Sequence, residues 1–167
     1  MALLRVATLI AATLTTGLVA GLFYAYACSV MPGLGRTDDR TFVSAMRHIN
    51  EAILNGWFAV IFVGAPLLTA VAAVLHLRAD GRSVLPWIAA AFVLCAVMLV
   101  ITFGANIPLN NALASAGDLG DVTALAAIRE RFEAGWVRWN IARAVVCTGA
   151  FGCLAWALVS YGRVTGA

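Results

Sequence analysis

Four long apolar stretches, separated by polar segments, dominate the pattern of hydrophobic and polar positions along the chain. A helix needs roughly 20 apolar residues to cross the hydrocarbon core of a bilayer. Lipid leaves no water to satisfy free backbone groups, so spanning segments must be helices rather than isolated strands. The pattern therefore predicts an all-α fold, an integral membrane four-helix bundle with both termini on the same side. The predicted spans are about residues 6–31, 53–77, 85–105 and 141–161.

The polar separators differ greatly in length, and the two long ones follow the first and third spans. Residues 36–52 and 118–135 are predicted to form amphipathic segments on the same membrane face. Thr41 is expected to cap the first of them, which then runs into the second span, and Asp121 or Thr123 to cap the second. Residues 106–111 interrupt the apolar pattern. The whole chain, residues 1–167, is thus one membrane domain with its polar residues concentrated at one end.

The composition agrees with a chain built for lipid. Its residues are 63% hydrophobic and 11% charged, with a mean hydropathy of +0.95, whereas a soluble domain is about half apolar and a quarter charged. The formal net charge is only +3, and the arginines are scattered among acids, which argues against nucleic-acid binding. The four cysteines lie in apolar stretches without a C-x-x-C pair, so we interpret them as packing residues.

Small residues recur every four positions in the first span, at Gly17, Gly21, Ala25 and Ser29. Such a row permits close approach of a second helix. We therefore expect Gly17 and Gly21 to face another helix rather than lipid.

A stripe of polar and aromatic residues marks the start of the last span. Trp136, Trp139, Asn140 and Arg143 follow i, i+3, i+4, i+7 spacing and are expected on one helical face. Tryptophan and arginine commonly anchor helix ends at the headgroup level, so an interfacial belt is one interpretation. A binding site for a small molecule is the other.

The sequence offers little support for a metal or a cofactor. If His48 and His76 share one helix, 28 residues separate them by about 40 Å, too far apart to ligate one haem iron. The His48-x-x-Glu51 pair is typical of a solvated helix surface, and neither a phosphate loop nor a dinucleotide fingerprint is present. We expect no metal and no cofactor. The spans also lack the central ionisable residues that mark ion pathways.

What remains is an apolar pocket with aromatics, amides, an arginine and a histidine, which suits a flat, weakly acidic organic molecule. Aromatic side chains stack on such a molecule, amides hold its oxygens and arginine stabilises a developing enolate. A neutral histidine is a natural proton acceptor.

Four sequence blocks, in this order, resemble a small four-helix membrane family that includes anthrone oxygenases and was long labelled a domain of unknown function. The resemblance covers about residues 15–160 and implies an oxidoreductase that converts polyketide anthrones to anthraquinones with O₂, without metal, flavin or haem. The blocks are GLFYAYACSVMPG at 21–33, AMRHINEAILN at 45–55, NIPLNNAL at 106–113 and WVRWNIAR at 136–143.

The resemblance and the location of polar residues together give a predicted site. His48 is the expected base and Arg143 the expected stabiliser of the enolate. The predicted substrate-binding residues are Asn50, Asn106, Asn110, Trp136, Trp139 and Asn140.

The expected partners are membrane lipid and an apolar aromatic small molecule, with no nucleic acid and with a homo-oligomer left open. The expected location is the bacterial inner (plasma) membrane, and seven of the eleven arginines lie at the polar end, which favours the cytoplasmic side for that end.

A second interpretation also stays open. Arg143 could pair with an acid such as Glu133 or Glu51, in which case the polar end is a structural cap. The protein would then be a non-catalytic membrane interaction or accessory protein rather than a cofactor-independent monooxygenase.

Overall fold

Seven α-helices and two π-helical turns follow one another in the computed structural model, which describes residues 2–77, 82–116 and 122–165. The π-helical turns, π1 and π2, are Tyr26–Val30 and Thr102–Asn106. The α-helices are α1 (Ala2–Ala25), α2 (Met31–Leu34), α3 (Asp39–Ala52), α4 (Gly56–Leu75), α5 (Leu85–Ile101), α6 (Ile107–Ser115) and α7 (Val122–Thr165).

Four helical segments are long and apolar enough to cross a membrane within these described ranges: Ala2–Leu34, Gly56–Leu75, Leu85–Ser115 and Ala124–Val164. They form a four-helix bundle in which α1 contacts α4 and α7, and α5 completes the ring by contacting α7 and α4. The described residues contain no strand. The predicted fold class, an all-α four-helix bundle of membrane type, is confirmed.

Each π-helical turn is followed by a proline at the start of the next α-helix. The Met31 N–H donates to the Tyr26 carbonyl and the Ile107 N–H to the Thr102 carbonyl, both five residues back. Proline lacks an N–H, and its ring crowds the preceding turn of a helix. A wider π-helical turn before the proline accommodates that ring. The irregular turn thus ends at Asn106, and residues 107–111, which were expected to interrupt the pattern, belong to regular α6, so the third spanning segment continues to Ser115.

The connection between the first two spans begins with a capped helix. The Asp38 carboxylate caps α3 by accepting hydrogen bonds from the Thr41 N–H at 3.0 Å and the Thr41 hydroxyl at 2.6 Å. These bonds lower the pKa of the Asp38 carboxyl below its usual value. The cap is therefore Asp38, whereas the sequence predicted Thr41.

Helix α3 also stops before the second span, instead of running into it. The Asn55 side chain accepts a hydrogen bond from the Phe58 N–H at 3.1 Å and caps α4. The chain can thus change direction at residues 53–55, and α3 packs across α6 and α7. Pro66 lies inside α4.

Helix α7 is continuous over 44 residues, so the second predicted amphipathic segment and the fourth span belong to one helix. Residues 118–121, with the expected cap Asp121, lie outside the described part of the chain, as do residues 78–81 of the short turn after α4. Only the later part of α7 faces the bundle, while its earlier turns carry α3.

Arg129, on the early part of α7, holds the α2–α3 connection in place. Its guanidinium donates to the Thr37 and Gly35 carbonyls, both at 2.8 Å, and pairs with Asp39 at 3.0 Å and Glu133 at 2.7 Å. The same group lies 4.5 Å from the centroid of the Phe42 ring. One side chain thereby ties two segments that are some 90 residues apart in sequence.

The opposite end of the bundle is closed by buried polar and aromatic side chains. The Arg5 Nε donates to the Leu75 carbonyl at 2.8 Å, where α4 ends. The buried His76 ring meets the Tyr161 ring edge-on at 5.2 Å. On the outside of this end, Arg163 lies 5.6 Å from the Trp156 ring, an exposed arginine–tryptophan pair.

The two glycines of the small-residue row differ, and only one faces a neighbouring helix. A Cβ at Gly17 would lie 3.0 Å from the Phe151 ring of α7, whereas a Cβ at Gly21 would have no neighbour within 4 Å. The expectation for Gly21 was wrong, because the helix rotation leaves that position on the outer surface.

We therefore predict opposite outcomes for two matched substitutions. Gly17→Leu should destabilise the bundle by about 1–3 kcal/mol through overpacking against Phe151, and Gly21→Leu should not. Thermal melting of the purified variants in detergent measures the difference. An equal loss of melting temperature for both variants would contradict the helix placement.

Candidate functional site

A cavity of about 910 Å³ lies at the end of the bundle where α1, α3, α4, π2, α6 and α7 meet. Its volume falls within the range of small-molecule sites. Apolar side chains form most of the wall, including Leu22, Phe58, Phe62 and Ile107. The remaining wall is polar and comes mainly from π1, α3, π2, α6 and α7.

The deep end of the cavity is built by one buried stripe of α7. Trp136, Asn140 and Arg143 line it at i, i+4, i+7, and all three are nearly inaccessible to solvent. Asn140 Nδ2 donates to the carbonyl of Phe23 at 3.0 Å, which joins α7 to α1. Asn140 Oδ1 accepts from Arg143 Nη2 at 3.0 Å. Asn140 thus positions the guanidinium.

Aromatic rings surround the Arg143 guanidinium. Its central carbon lies 4.2 Å from the Phe23 ring centroid and 5.6 Å from that of Trp136. Tyr26 packs on the same indole at 5.7 Å. Ring faces attract a cation, so this cluster holds the buried guanidinium without a carboxylate partner in the described residues. The alternative pairing with Glu133 or Glu51 is not formed, and Glu133 pairs with Arg129 instead.

A second set of amides continues the polar wall along π2 and α6. Trp136 Nε1 donates to Asn110 Oδ1 at 2.8 Å, and Asn106 Nδ2 makes a long 3.4 Å contact with the Trp136 carbonyl. Asn110 therefore fixes the indole, while Asn106 contacts the backbone of the same residue. Widening at π2 places Asn106 at the end of the turn, where its side chain is 1% exposed.

Three polar atoms on cavity-lining residues are buried and have no hydrogen-bond partner within the described chain: Asn50 Nδ2, Asn106 Oδ1 and Arg143 Nε. A buried polar group without a partner costs about 1–3 kcal/mol. Two are donors and one is an acceptor. Together they indicate a place for a ligand that carries oxygen atoms able both to accept and to donate hydrogen bonds.

Helix α3 covers the cavity with one of its faces. Arg47, Asn50 and Glu51 follow i, i+3, i+4 spacing on α3 and line the cavity, as does Leu54, just beyond the end of the helix. Arg47 Nε donates to the Leu113 carbonyl at 2.9 Å, and its Nη2 donates to the Ala116 carbonyl, so α3 is fastened over the end of α6. Glu51, unlike Arg143, is exposed and lies near the mouth.

The cavity also opens sideways between α4 and π2. Val63 is 57% exposed and Phe103 is 62% exposed, yet both line the cavity, as does the exposed Ala59. These residues lie on helices of membrane-spanning length. The wall is therefore continuous with the apolar outer surface of the bundle.

The structure brings six of the eight predicted site residues to the wall of this cavity. They are Asn50, Asn106, Asn110, Trp136, Asn140 and Arg143.

His48 and Trp139 do not line the cavity. His48 lies on the exposed face of α3, and its Nδ1 bonds to the Ser44 carbonyl at 2.8 Å. Trp139 is turned outward, with the Arg138 guanidinium 5.6 Å from its ring. Asn140 and Arg143 lie on the same buried face of α7 as Trp136, whereas Trp139 lies outside it. The prediction that all four residues share one face was therefore wrong for Trp139.

Sequence reasoning missed Phe23, Tyr26, Arg47 and Glu51 as lining residues. The spacing of Arg47, Asn50 and Glu51 was a usable signal, because it defines the cavity face of α3 and excludes His48 from it. Tyr26 follows Leu22 and Phe23 at i+4 and i+3, so helical spacing along the first span was a usable signal for it as well. No cluster of three metal-ligating side chains occurs in the described residues.

Comparison with known proteins identifies one family. A family model described as anthrone oxygenase matches residues 57–153, more than half of the chain. The matched region contains the π2, α6 and α7 walls of the cavity, while α1 and α3 lie outside it. No curated protein and no solved structure matches the chain.

Proposed function

The chain belongs to the anthrone oxygenase family, and from that premise we propose that it is a membrane-embedded enzyme that oxidises a flat phenolic substrate of polyketide type with O₂ and without a cofactor. The observation that carries this proposal is the set of three buried, unpartnered polar atoms around an apolar cavity. Phenol and carbonyl oxygens of a fused aromatic molecule would supply the missing partners. The rings of Trp136 and Phe58 would provide apolar contact for its faces.

The Arg143 guanidinium has the central role in this proposal. Removal of a benzylic proton from an anthrone leaves an enolate whose charge is spread over the ring system and its oxygen. A fixed cation in a water-poor cavity stabilises that charge strongly, because no reorganisation is needed when the charge develops. Asn140 keeps the guanidinium oriented, and Asn106 and Asn50 hold further oxygens.

The overall reaction needs no external reductant. A CH₂ group and one O₂ give a carbonyl and one water. The enolate carbon forms a C–O bond with O₂, and the resulting peroxide takes up a proton. Loss of the second C–H proton with cleavage of the O–O bond leaves the carbonyl and hydroxide, which is protonated to water. The protein has to bind, deprotonate and position the substrate.

The sideways opening supports a substrate dissolved in lipid. Ala59, Val63 and Phe103 would face the acyl chains in a bilayer, and an apolar molecule could pass between α4 and π2 without crossing a polar surface. We place the protein in the bacterial inner (plasma) membrane with both termini on one side. Its partners are then membrane lipid and the aromatic substrate itself.

The direct test uses the full chain in liposomes, with unsubstituted anthrone and no added cofactor. We expect consumption of one O₂ for each anthrone converted to the quinone, above the rate in empty liposomes. If the protein binds the anthrone but never accelerates O₂ uptake, the enzymatic assignment fails. The non-catalytic accessory role would then replace it.

A substitution at Asn106 separates binding from folding. Asn106→Leu removes a buried acceptor that lacks a partner and a donor whose contact with the Trp136 carbonyl is long, at 3.4 Å, so we expect little change in the melting temperature. Binding of a hydroxylated anthrone under anaerobic conditions should weaken by about 10-fold, because a phenol hydroxyl of the ligand loses its acceptor. A variant that binds with wild-type affinity would exclude Asn106 from the site.

A further inference from the structure

We propose that the carboxylate of Glu51 is the proton acceptor of the reaction, an assignment that rests on the proposed function. The base must touch the benzylic carbon, so it must line the cavity. His48 does not, because it lies on the other face of α3.

The chemistry of the lining residues leaves few candidates. Among the side chains of the described chain that line the cavity, Glu51 carries the single carboxylate and Tyr26 the single phenol. Arginine is a permanent donor, and an amide does not accept protons from carbon acids. A carboxylate oxygen is a proton acceptor, whereas a phenol hydroxyl already carries a proton. The carboxylate is therefore the group that arrives ready to accept a proton.

Glu51 and Arg143 line the same cavity from two different helices, one exposed and one buried, as the two opposite edges of an anthrone would require. The carbonyl carbon and the CH₂ group of an anthrone occupy opposite edges of its central ring. Arg143 lies at the deep end of the cavity, 6% exposed, and Glu51 lies at the mouth on a different helix. A flat molecule with its oxygen against the guanidinium would thus present its CH₂ edge towards α3.

Glu51 is also free to act. No hydrogen bond or ion pair of its side chain is formed with the residues that the structure describes, although Arg47 and Asn50 line the same wall. In the proposed step the C–H bond breaks, the proton moves to a Glu51 carboxylate oxygen, and the electron pair stays on the substrate as the enolate. The exposed carboxyl can pass the proton to the peroxide or to water at the mouth.

Deprotonation can be measured apart from oxidation. In D₂O without O₂, the wild-type protein in liposomes should speed the exchange of the benzylic hydrogens of anthrone, followed by mass spectrometry or proton NMR. Glu51→Gln keeps the size and hydrogen-bonding capacity of the side chain and removes its basicity. We expect this variant to lose about 100-fold or more of the catalysed exchange while it still binds anthrone. Glu130→Gln, at an exposed position of α7 outside the cavity, is the matched control and should exchange as the wild type does.

Tyr26→Phe tests the competing group. If this variant loses exchange and Glu51→Gln retains it, the base is Tyr26 and the assignment to Glu51 is overturned. If wild type exchanges and consumes O₂ and Glu51→Gln does both at the same rates, the assignment fails although the proposed function stands. If wild type neither exchanges nor consumes O₂, both proposals fall together.

Discussion

Arg143→Lys is expected to lower anthrone-dependent O₂ uptake by about 100-fold or more while the protein still folds. Arginine presents a planar fork of donors, of which Nη2 bonds to Asn140 and Nε is buried without a partner in the described chain. Lysine offers one compact ammonium and cannot bond to Asn140 and to a ligand oxygen with the same geometry. Loss of one well-placed donor to a developing oxyanion typically costs 100- to 1000-fold in rate.

The chain supplies a control of the same chemistry. Arg138 also lies 5.6 Å from an indole ring, that of Trp139, but it is exposed and outside the cavity. An anchoring arginine needs only a positive charge near the headgroups, so Arg138→Lys should retain wild-type O₂ uptake. Full activity in Arg143→Lys, measured beside this control, would show that Arg143 is an anchor as well, and the site would have to be placed elsewhere.

The largest effect on stability is expected at Arg129. Replacing it with glutamine removes two bonds to backbone carbonyls and two ion pairs at once. Its side chain is only 16% exposed, and hydrogen bonds to a charged group contribute about 1.5–3 kcal/mol each when buried. Partial exposure and lost side-chain entropy reduce the sum. We expect a net loss of about 2–3 kcal/mol, which corresponds to a melting temperature lower by roughly 5–10 °C.

Limited proteolysis shows which part of the chain the loss of stability in Arg129→Gln affects. Arg129→Gln should be cleaved faster in the connection between α2 and α3, because Gly35 and Thr37 lose their attachment to α7. Arg131→Gln is the control, since Arg131 is exposed on the same helix and makes no side-chain bond within the described chain. Equal melting temperatures and cleavage rates in the two variants would mean that the Arg129 network does not hold this connection.

The apolar runs were sufficient to predict the fold class, because a bilayer leaves helices as almost the only way to satisfy the backbone. Spacing along α7 was enough to bring Trp136, Asn140 and Arg143 together. The same spacing failed for Trp139, because a stripe that includes both i+3 and i+4 is wider than the face of α7 that is buried. The difference between Gly17 and Gly21 depends on the rotation of α1 against α7, which a row of small residues does not define.

The site could be predicted only in part for a related reason. Both π-helical turns add a residue to a helical repeat, and they shift the direction of every side chain that follows. Asn106, at the end of π2, and the residues of α6 after it owe their positions to such a turn, so regular helical periodicity could not place them. His48 was chosen for its chemistry, whereas the face of α3 that covers the cavity is set by Arg47 and its bonds to the end of α6.

The two exposed arginine–tryptophan pairs of α7 mark two levels along the helix axis. Trp139 with Arg138 and Trp156 with Arg163 are 17 residues apart, or about 25 Å along the helix axis. Aromatic residues of this kind favour the headgroup level. The distance between the two pairs therefore matches a hydrocarbon layer somewhat thinner than about 30 Å. Arg143 lies only one helical turn from Trp139, towards the middle of the span. A bilayer with longer acyl chains would draw hydrocarbon over the cavity mouth, and one with shorter chains would leave the mouth among the headgroups. Lipid chain length thereby becomes a determinant of how much water reaches the guanidinium.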